Sequence, residues 1–122
     1  MQQRTGLLLA IDRLTKISPL RTEFKRVSYE ALGTQRRRIL TFTCTKKGMR
    51  IIRDAWRAVD KRETRCTSSI IDYRNSDNTY TIRLEWGYRY NSTVEVRSNL
   101  LAELLNEACL RAENATELFR TL

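Results

Sequence analysis

The chain has 122 residues, of which 41% are hydrophobic and 30% are charged, and its formal net charge is +9. These values are typical of one globular domain with a single core, and they argue against a disordered chain. The sequence contains no histidine, so catalytic and metal-binding arrangements that need an imidazole are excluded.

Cysteine usage and hydropathy describe the expected environment of the protein. Cys44, Cys66 and Cys109 are an odd number of cysteines without short spacing, which is typical neither of a disulfide framework nor of a metal site. The apolar run over residues 7–11 is too short for a signal peptide or a membrane span. We therefore expect an intracellular protein, cytoplasmic or in the nucleoid or nucleus, with no membrane contact, metal or cofactor; a viral or phage product would occupy the host cell.

Two amphipathic helices are predicted at the N-terminus. In residues 5–17, apolar side chains recur at helical spacing. Ser18 and Pro19 then suit the N-cap and the first position of a second helix, which should run to Leu32 before Gly33 ends it as a left-handed C-cap. This pattern predicts an N-terminal helical hairpin, whose apolar helices could also supply a homodimer interface.

Strands are predicted in the middle of the chain. Residues 39–45 alternate apolar side chains with threonines, which indicates a half-buried strand. Residues 66–97 predict a β-meander with a turn at 75–78. Its most regular strand runs from residue 79 to Trp86, which should be buried. Gly87 indicates a bulge or bend, and a further strand is expected up to residue 96.

Two further helices complete the predicted fold. One covers residues 46–62, and Ser98 is the expected N-cap of a last helix that ends near Asn114 and covers the sheet. The predicted order is ααβαβββα. With one proline and no linker or repeat, residues 1–122 are expected to form a single α+β domain. It should contain a small, mainly antiparallel sheet of about four strands packed by helices.

The helix over residues 46–62 is divided into an apolar side and a basic side. On a helical wheel, five cations fall in one narrow wedge opposite the apolar residues, and they span roughly 22 Å along the helix. We call them the cationic stripe: Lys46, Arg50, Arg53, Arg57 and Lys61. Arg36, Arg37 and Arg38 precede the adjoining strand. They would extend the stripe only if the helix folds back over the sheet, which the short connection favours.

The positive charge is concentrated in the middle of the chain. Between residues 21 and 65 there are 14 Lys/Arg against 5 Asp/Glu, a net charge of +9, whereas from residue 95 onward 3 Lys/Arg face 5 Asp/Glu. Such a separation gives the domain a positive side that attracts polyanions, chiefly phosphate backbones. The alternative is a basic surface that stays solvated and binds nothing.

Other candidate sites in the sequence are weaker. Asp72 and Glu85 lie on neighbouring predicted strands near Arg83, and a metal nuclease would need such acids to converge, but no lysine follows at the usual spacing. Cys66 is the one thiol beside an arginine. Aromatic and charged residues alternate over residues 86–90, which could stack bases unless that strand belongs to the core.

These patterns favour a protein that is not an enzyme. The first hypothesis is a nucleic-acid-binding domain, or small subunit of a nucleoprotein complex, that contacts the phosphate backbone of DNA or RNA with low sequence specificity. The alternative is a protein-interaction module, such as a viral or phage inhibitor or a structural accessory protein, whose basic side meets an acidic protein surface.

Overall fold

The computed structural model describes residues 6–33, 36–87 and 91–121. Short π-helical and 3-10 turns, at Arg13–Ile17 and Pro19–Glu23, follow the first helix. The main elements are α1 (Gly6–Asp12), β1 (Phe24–Leu32), β2 (Arg37–Cys44), α2 (Lys46–Arg62), β3 (Thr67–Arg74), β4 (Tyr80–Gly87) and α3 (Asn91–Thr121).

The four strands form one antiparallel sheet in the order β1-β2-β4-β3. Alternate residues of β2 and β4 are buried on one face, where they meet the apolar sides of the helices. We call this the helix face and the opposite one the open face. The core on the helix face includes Leu40, Phe42, Cys44, Ile82, Leu84 and Trp86. The predicted α+β class and four-stranded antiparallel sheet are confirmed, as is the burial of Trp86, which is 1% exposed.

The start of α2 is fixed by a cap and by a close approach of the backbone. The Thr45 hydroxyl accepts a hydrogen bond from the Gly48 amide at 3.1 Å, so it serves as the N-cap. A Cβ atom at position 48 would lie 2.8 Å from the Glu23 carbonyl oxygen and 2.9 Å from the Cys44 Cβ. Glycine is therefore required there by packing, although it weakens the helix itself.

The second predicted N-terminal helix is wrong, because residues 24–32 form β1. Ser18 does act as an N-cap, accepting from the Leu20 amide at 3.1 Å, but it caps only the 3-10 turn. The apolar residues of this segment fit a helical period. Val27 and Tyr29 also fit a period of two, and in the sheet they lie opposite Phe42 and Leu40. Pairing with β2 therefore overrides the local helical pattern.

The segment before the last helix also differs from the prediction. Residues 88–90 lie outside the described residues, and the expected strand over 91–96 is instead the beginning of α3. Ser98 is not an N-cap, because its hydroxyl is buried, accepts from Trp86 Nε1 at 3.1 Å and donates to the Val94 carbonyl at 2.9 Å. The helix also continues past Asn114 to Thr121.

Much of the apolar side of α1, which the sequence predicts as a possible homodimer interface, is buried within the chain itself. Leu7, Ala10 and Ile11 of α1 are buried in the core, where α1 packs against α3, and the second helix does not exist. In the part of the chain that the structure describes, no helix combines the length and the apolar character needed to cross a membrane.

Candidate functional site

Helix α2 folds back along the sheet and lies beside the edge strand β3. Midway along α2, Arg53 Nη2 donates to Asp72 Oδ2 of β3 at 2.9 Å. Two turns further on, Ser68 Oγ of β3 donates to Asp60 Oδ1 at 3.2 Å. Because the contacts go from Arg53–Asp72 to Asp60–Ser68, α2 runs antiparallel to β3. Ser68 lies opposite Trp86, which in turn lies opposite Arg38 at the start of β2. The helix therefore ends at the same end of the sheet at which β2 begins.

Four members of the cationic stripe are exposed and unneutralised. Lys46, Arg50, Arg57 and Lys61 are all solvent-exposed, and within the described residues no salt bridge joins any of them to a carboxylate. Their spacing in sequence places them on one side of α2, away from the buried Ile52 and the rest of the apolar side. The result is a row of cations along the whole helix.

Arg53 is the member of the stripe that differs. Its side chain is about one-quarter exposed, and its guanidinium is held by Asp72 and lies 3.6 Å from the Met49 sulfur. The ion pair neutralises its charge and ties α2 to β3. Arg53 therefore marks the boundary between the cationic stripe and the edge strand, and contributes less positive field than its neighbours.

The arginine cluster before β2 is divided among three environments. Arg37 points to the open face, where its Nη2 contacts Glu85 Oε2 at 2.6 Å. Arg38 points to the helix face, is 4% exposed, and donates to Glu95 Oε1 at 2.8 Å. Arg36 is exposed. Of the three, Arg36 alone can extend the stripe to a large external anion, because Arg38 is buried and Arg37 lies on the face of the sheet opposite to α2.

A buried arginine below the end of α2 was not foreseen from the sequence. Arg97 is 1% exposed, donates to Glu63 Oε2 and Asp60 Oδ1, each at 2.8 Å, and lies over the Trp56 ring with Cζ 4.6 Å from its centroid. It also donates to the Glu63 carbonyl at 2.8 Å. Had residues 91–98 been read as helix, Arg97 would have fallen on the same arc as Leu101.

The Arg97 network keeps a carboxylate ionised inside the protein. Burial pushes the pKa of Glu63 upward, but hydrogen bonds from Arg97 and from the Arg65 and Cys66 amides outweigh it and hold that pKa below its usual value. Asp60, near the end of α2, also forms an ion pair with Arg97. The C-terminal end of α2 is thereby anchored to α3.

The other candidate sites are not assembled. Asp72 is on the helix face of β3 and Glu85 is on the open face of β4, so their carboxylates point to opposite sides of the sheet. Among residues 6–33, 36–87 and 91–121, no group of three or more acids or cysteines could hold a metal. Burial raises the pKa of Cys66 to about 11, which does not favour a reactive thiolate.

No protein-family model matches the chain, and neither curated proteins nor solved structures give a match. The feature that the side chains of this chain bring together is a straight row of exposed cations beside an edge strand.

Proposed function

We propose that the protein binds DNA or RNA through the phosphate backbone, without catalysis and with low sequence specificity. The observation that carries the proposal is the row formed by Lys46, Arg50, Arg57 and Lys61, which are exposed and have no salt bridge within the described residues. Arg36 is exposed and lies at the same end of the sheet as Lys61. Arg53 supports it from the boundary with β3.

The linear arrangement suits a phosphate backbone. Lys46 and Lys61 are roughly 22 Å apart along the helix axis, and neighbouring exposed cations are roughly 6 to 10 Å apart. Phosphates of one strand recur every 3.4 Å or so along a duplex, so each cation can meet every second or third phosphate. Such contacts neutralise charge without reading base edges, and they therefore give affinity without sequence specificity.

The best test removes two exposed arginines that have no salt bridge within the described residues. We choose the double variant Arg50→Glu/Arg57→Glu and leave Arg53 intact, because a glutamate there would face Asp72. The matched control is Arg111→Glu/Arg120→Glu on α3, where two exposed arginines are replaced. Each variant lowers the formal net charge from +9 by four, to +5, so only the place of the change differs.

Binding is measured by fluorescence anisotropy with labelled single-stranded and duplex DNA and RNA over a range of salt concentrations. For wild type and control, we expect affinity to fall steeply with salt because bound cations release counterions. Losing two contacts should reduce the log–log salt slope by about 1.8 for duplex DNA or about 1.4 for single strands. A double variant that binds like the control would overturn the proposal.

An acidic protein surface is the alternative partner for the same row of cations. Affinity capture from a lysate, with and without nuclease treatment, distinguishes the two partners. Loss of the captured material after nuclease supports nucleic-acid binding. An acidic protein that is retained after nuclease, and released by Arg50→Glu/Arg57→Glu, would favour the alternative.

A further inference from the structure

The edge strand β3 is exposed along its whole length. All eight residues from Thr67 to Arg74 are exposed, on both faces of the strand. Ile70 is 37% exposed on the helix face, and Ile71 and Tyr73 are 51% and 55% exposed on the open face. Within the described ranges, β3 pairs only with β4, so its outer main-chain donors and acceptors meet no other strand.

The two edges of the sheet differ in how they are protected against pairing. Exposed edges are commonly blocked by lysine, proline or a bulge, each of which prevents another strand from adding. The β1 edge has Lys25 and a register shift between Phe24 and Arg26. The β3 edge has no lysine or proline, and it keeps an unbroken register with β4 over all eight pairs. Its charged residues are Asp72, which is paired with Arg53, and Arg74 at the end of the strand.

We propose that β3 is a homodimer interface, at which two copies of the chain pair antiparallel and join their sheets into one of eight strands. A two-fold axis perpendicular to the sheet makes such pairing isologous, so each residue must suit its symmetry partner. Main-chain hydrogen bonds provide the affinity, and alternate side chains determine the register.

The side chains of β3 are compatible with pairing around the middle of the strand. With the axis at Ile71, the two Ile71 side chains face each other on the open face, and Arg74 lies opposite Ser68 of the second copy. With the axis at Ile70, Asp72 lies opposite Ser68 instead. Neither register places like charges together, whereas an axis at Asp72 would oppose two carboxylates.

The second copy is favoured because β3 can pair with itself without opposing like charges, and the dimer would also group the cationic surfaces. Arg53 and Asp60 contact β3, so the stripe lies on the side of α2 that faces this edge. The two-fold axis leaves both copies of α2 on the same face of the joined sheet, with their stripes turned toward one another. If the stripe binds phosphates as proposed above, the dimer offers one cationic groove; the pairing itself does not rest on that function.

The expected dimer is weak and responds to salt in a characteristic direction. Eight residues per copy is fewer than the 20 to 30 or so in standard stable interfaces, so we expect a dissociation constant near the micromolar range. Two chains of net charge +9 repel one another, and salt screens that repulsion. Added salt should therefore strengthen the dimer while it weakens nucleic-acid binding, which makes failure of either proposal distinguishable from failure of the other.

The test is sedimentation velocity on the full chain after nuclease treatment, over roughly 1 to 100 µM protein to bracket that affinity. Salt is raised to about 1 M, where the Debye length is only about 3 Å. We expect wild type to approach the mass of two 14.4 kDa chains. Ile71→Lys should raise the dissociation constant at least about tenfold. The control Leu32→Lys makes the same kind of change on the exposed β1 edge and should leave the dimer intact.

A cross-linking experiment covers the case in which Ile71→Lys fails to fold. Ile70→Cys and Ile71→Cys are oxidised with diamide, and the register decides which variant forms the disulfide-linked dimer. Leu32→Cys is the control, and the three native cysteines are buried. A wild-type chain that remains monomeric at the highest protein and salt concentrations overturns the proposal. So does cross-linking or dissociation that follows position 32 instead of 70 or 71.

Discussion

Arginines on and around α2 form two groups that differ in burial and in whether a carboxylate pairs with them. Arg97 and Arg38 are almost completely buried, and each donates to at least one carboxylate. Arg50 and Arg57 are exposed, and no carboxylate within the described residues forms a salt bridge with them. Burying a charge costs several kcal/mol unless a partner compensates it, whereas an exposed charge is solvated by water. The number of cations therefore says little until their carboxylate partners are known.

The largest expected effect comes from breaking the buried group. Arg97→Ala leaves the Glu63 carboxylate buried without its main partner and should lower the free energy of unfolding by about 3–5 kcal/mol. Urea unfolding followed by circular dichroism measures this change. A loss below about 1 kcal/mol, the size expected for an exposed ion pair, would contradict the structural role of Arg97.

Packing on the buried side of α2 should be the next most sensitive feature. Gly48→Ala places a methyl group 2.8 Å from the Glu23 carbonyl oxygen, so α2 or the 3-10 turn that ends at Glu23 must move. We expect a loss of about 1–3 kcal/mol in the free energy of unfolding, as for overpacked cores, despite the better helix propensity of alanine. Gly6→Ala is the control, because a Cβ there meets nothing within 4 Å. Equal stability of the two variants would contradict the close packing of the Gly48 backbone against Glu23.

Lowering the pH should reduce the stability that the buried Arg97–Glu63 pair contributes, and it should not change the contribution of the exposed arginines. Because the pKa of Glu63 is lower in the folded protein than its reference value of 4.5, its contribution to stability is complete above that value. It should be lost as the pH falls through the folded pKa. Urea unfolding of the wild type and of Glu63→Gln at a series of pH values measures the contribution of Glu63 to the free energy of unfolding.

Other acids contribute to the same profile and must be separated from Glu63. Thr79 and Lys25 lower the pKa of Asp77 to about 2, and this contribution remains in Glu63→Gln. If the free energy of unfolding of the wild type and of the variant changes with pH in parallel, the titration of Glu63 does not contribute to the acid sensitivity of the fold.

The smallest effect on stability is expected in the exposed group. Arg57→Ala should change the free energy of unfolding by no more than about 0.5 kcal/mol, because the side chain is exposed and lies one turn from the like charges of Arg53 and Lys61. It should nevertheless reduce the salt slope of duplex binding by about 0.9. Unchanged stability together with weakened binding would indicate that Arg57 serves binding and not folding. A stability loss as large as that of Arg97→Ala would contradict this interpretation.

The sequence predicted those elements whose patterns fit one period only. Residues 46–62 repeat at helical spacing, and Thr79 to Trp86 alternate with a period of two, and both elements were found. Residues 24–32 fit both periods, so propensity and spacing could not decide between helix and strand. Residues 91–96 were expected to form a strand and Ser98 to cap the next helix, so the sequence did not reveal that Arg97 lies inside a helix.

The spacing of five cations along the chain is enough to place them in one wedge of α2, because helical geometry converts spacing directly into direction. Which of them keep a free charge depends on the packing of distant segments. Arg53 and Arg57 are alike on the wheel, but Asp72, nineteen residues away from Arg53 along the chain, pairs with one of them. Arg37 and Arg38 are neighbours in sequence, and the pleat of β2 sends them to opposite faces. Charge compensation depends on contacts between distant segments, which no local pattern encodes.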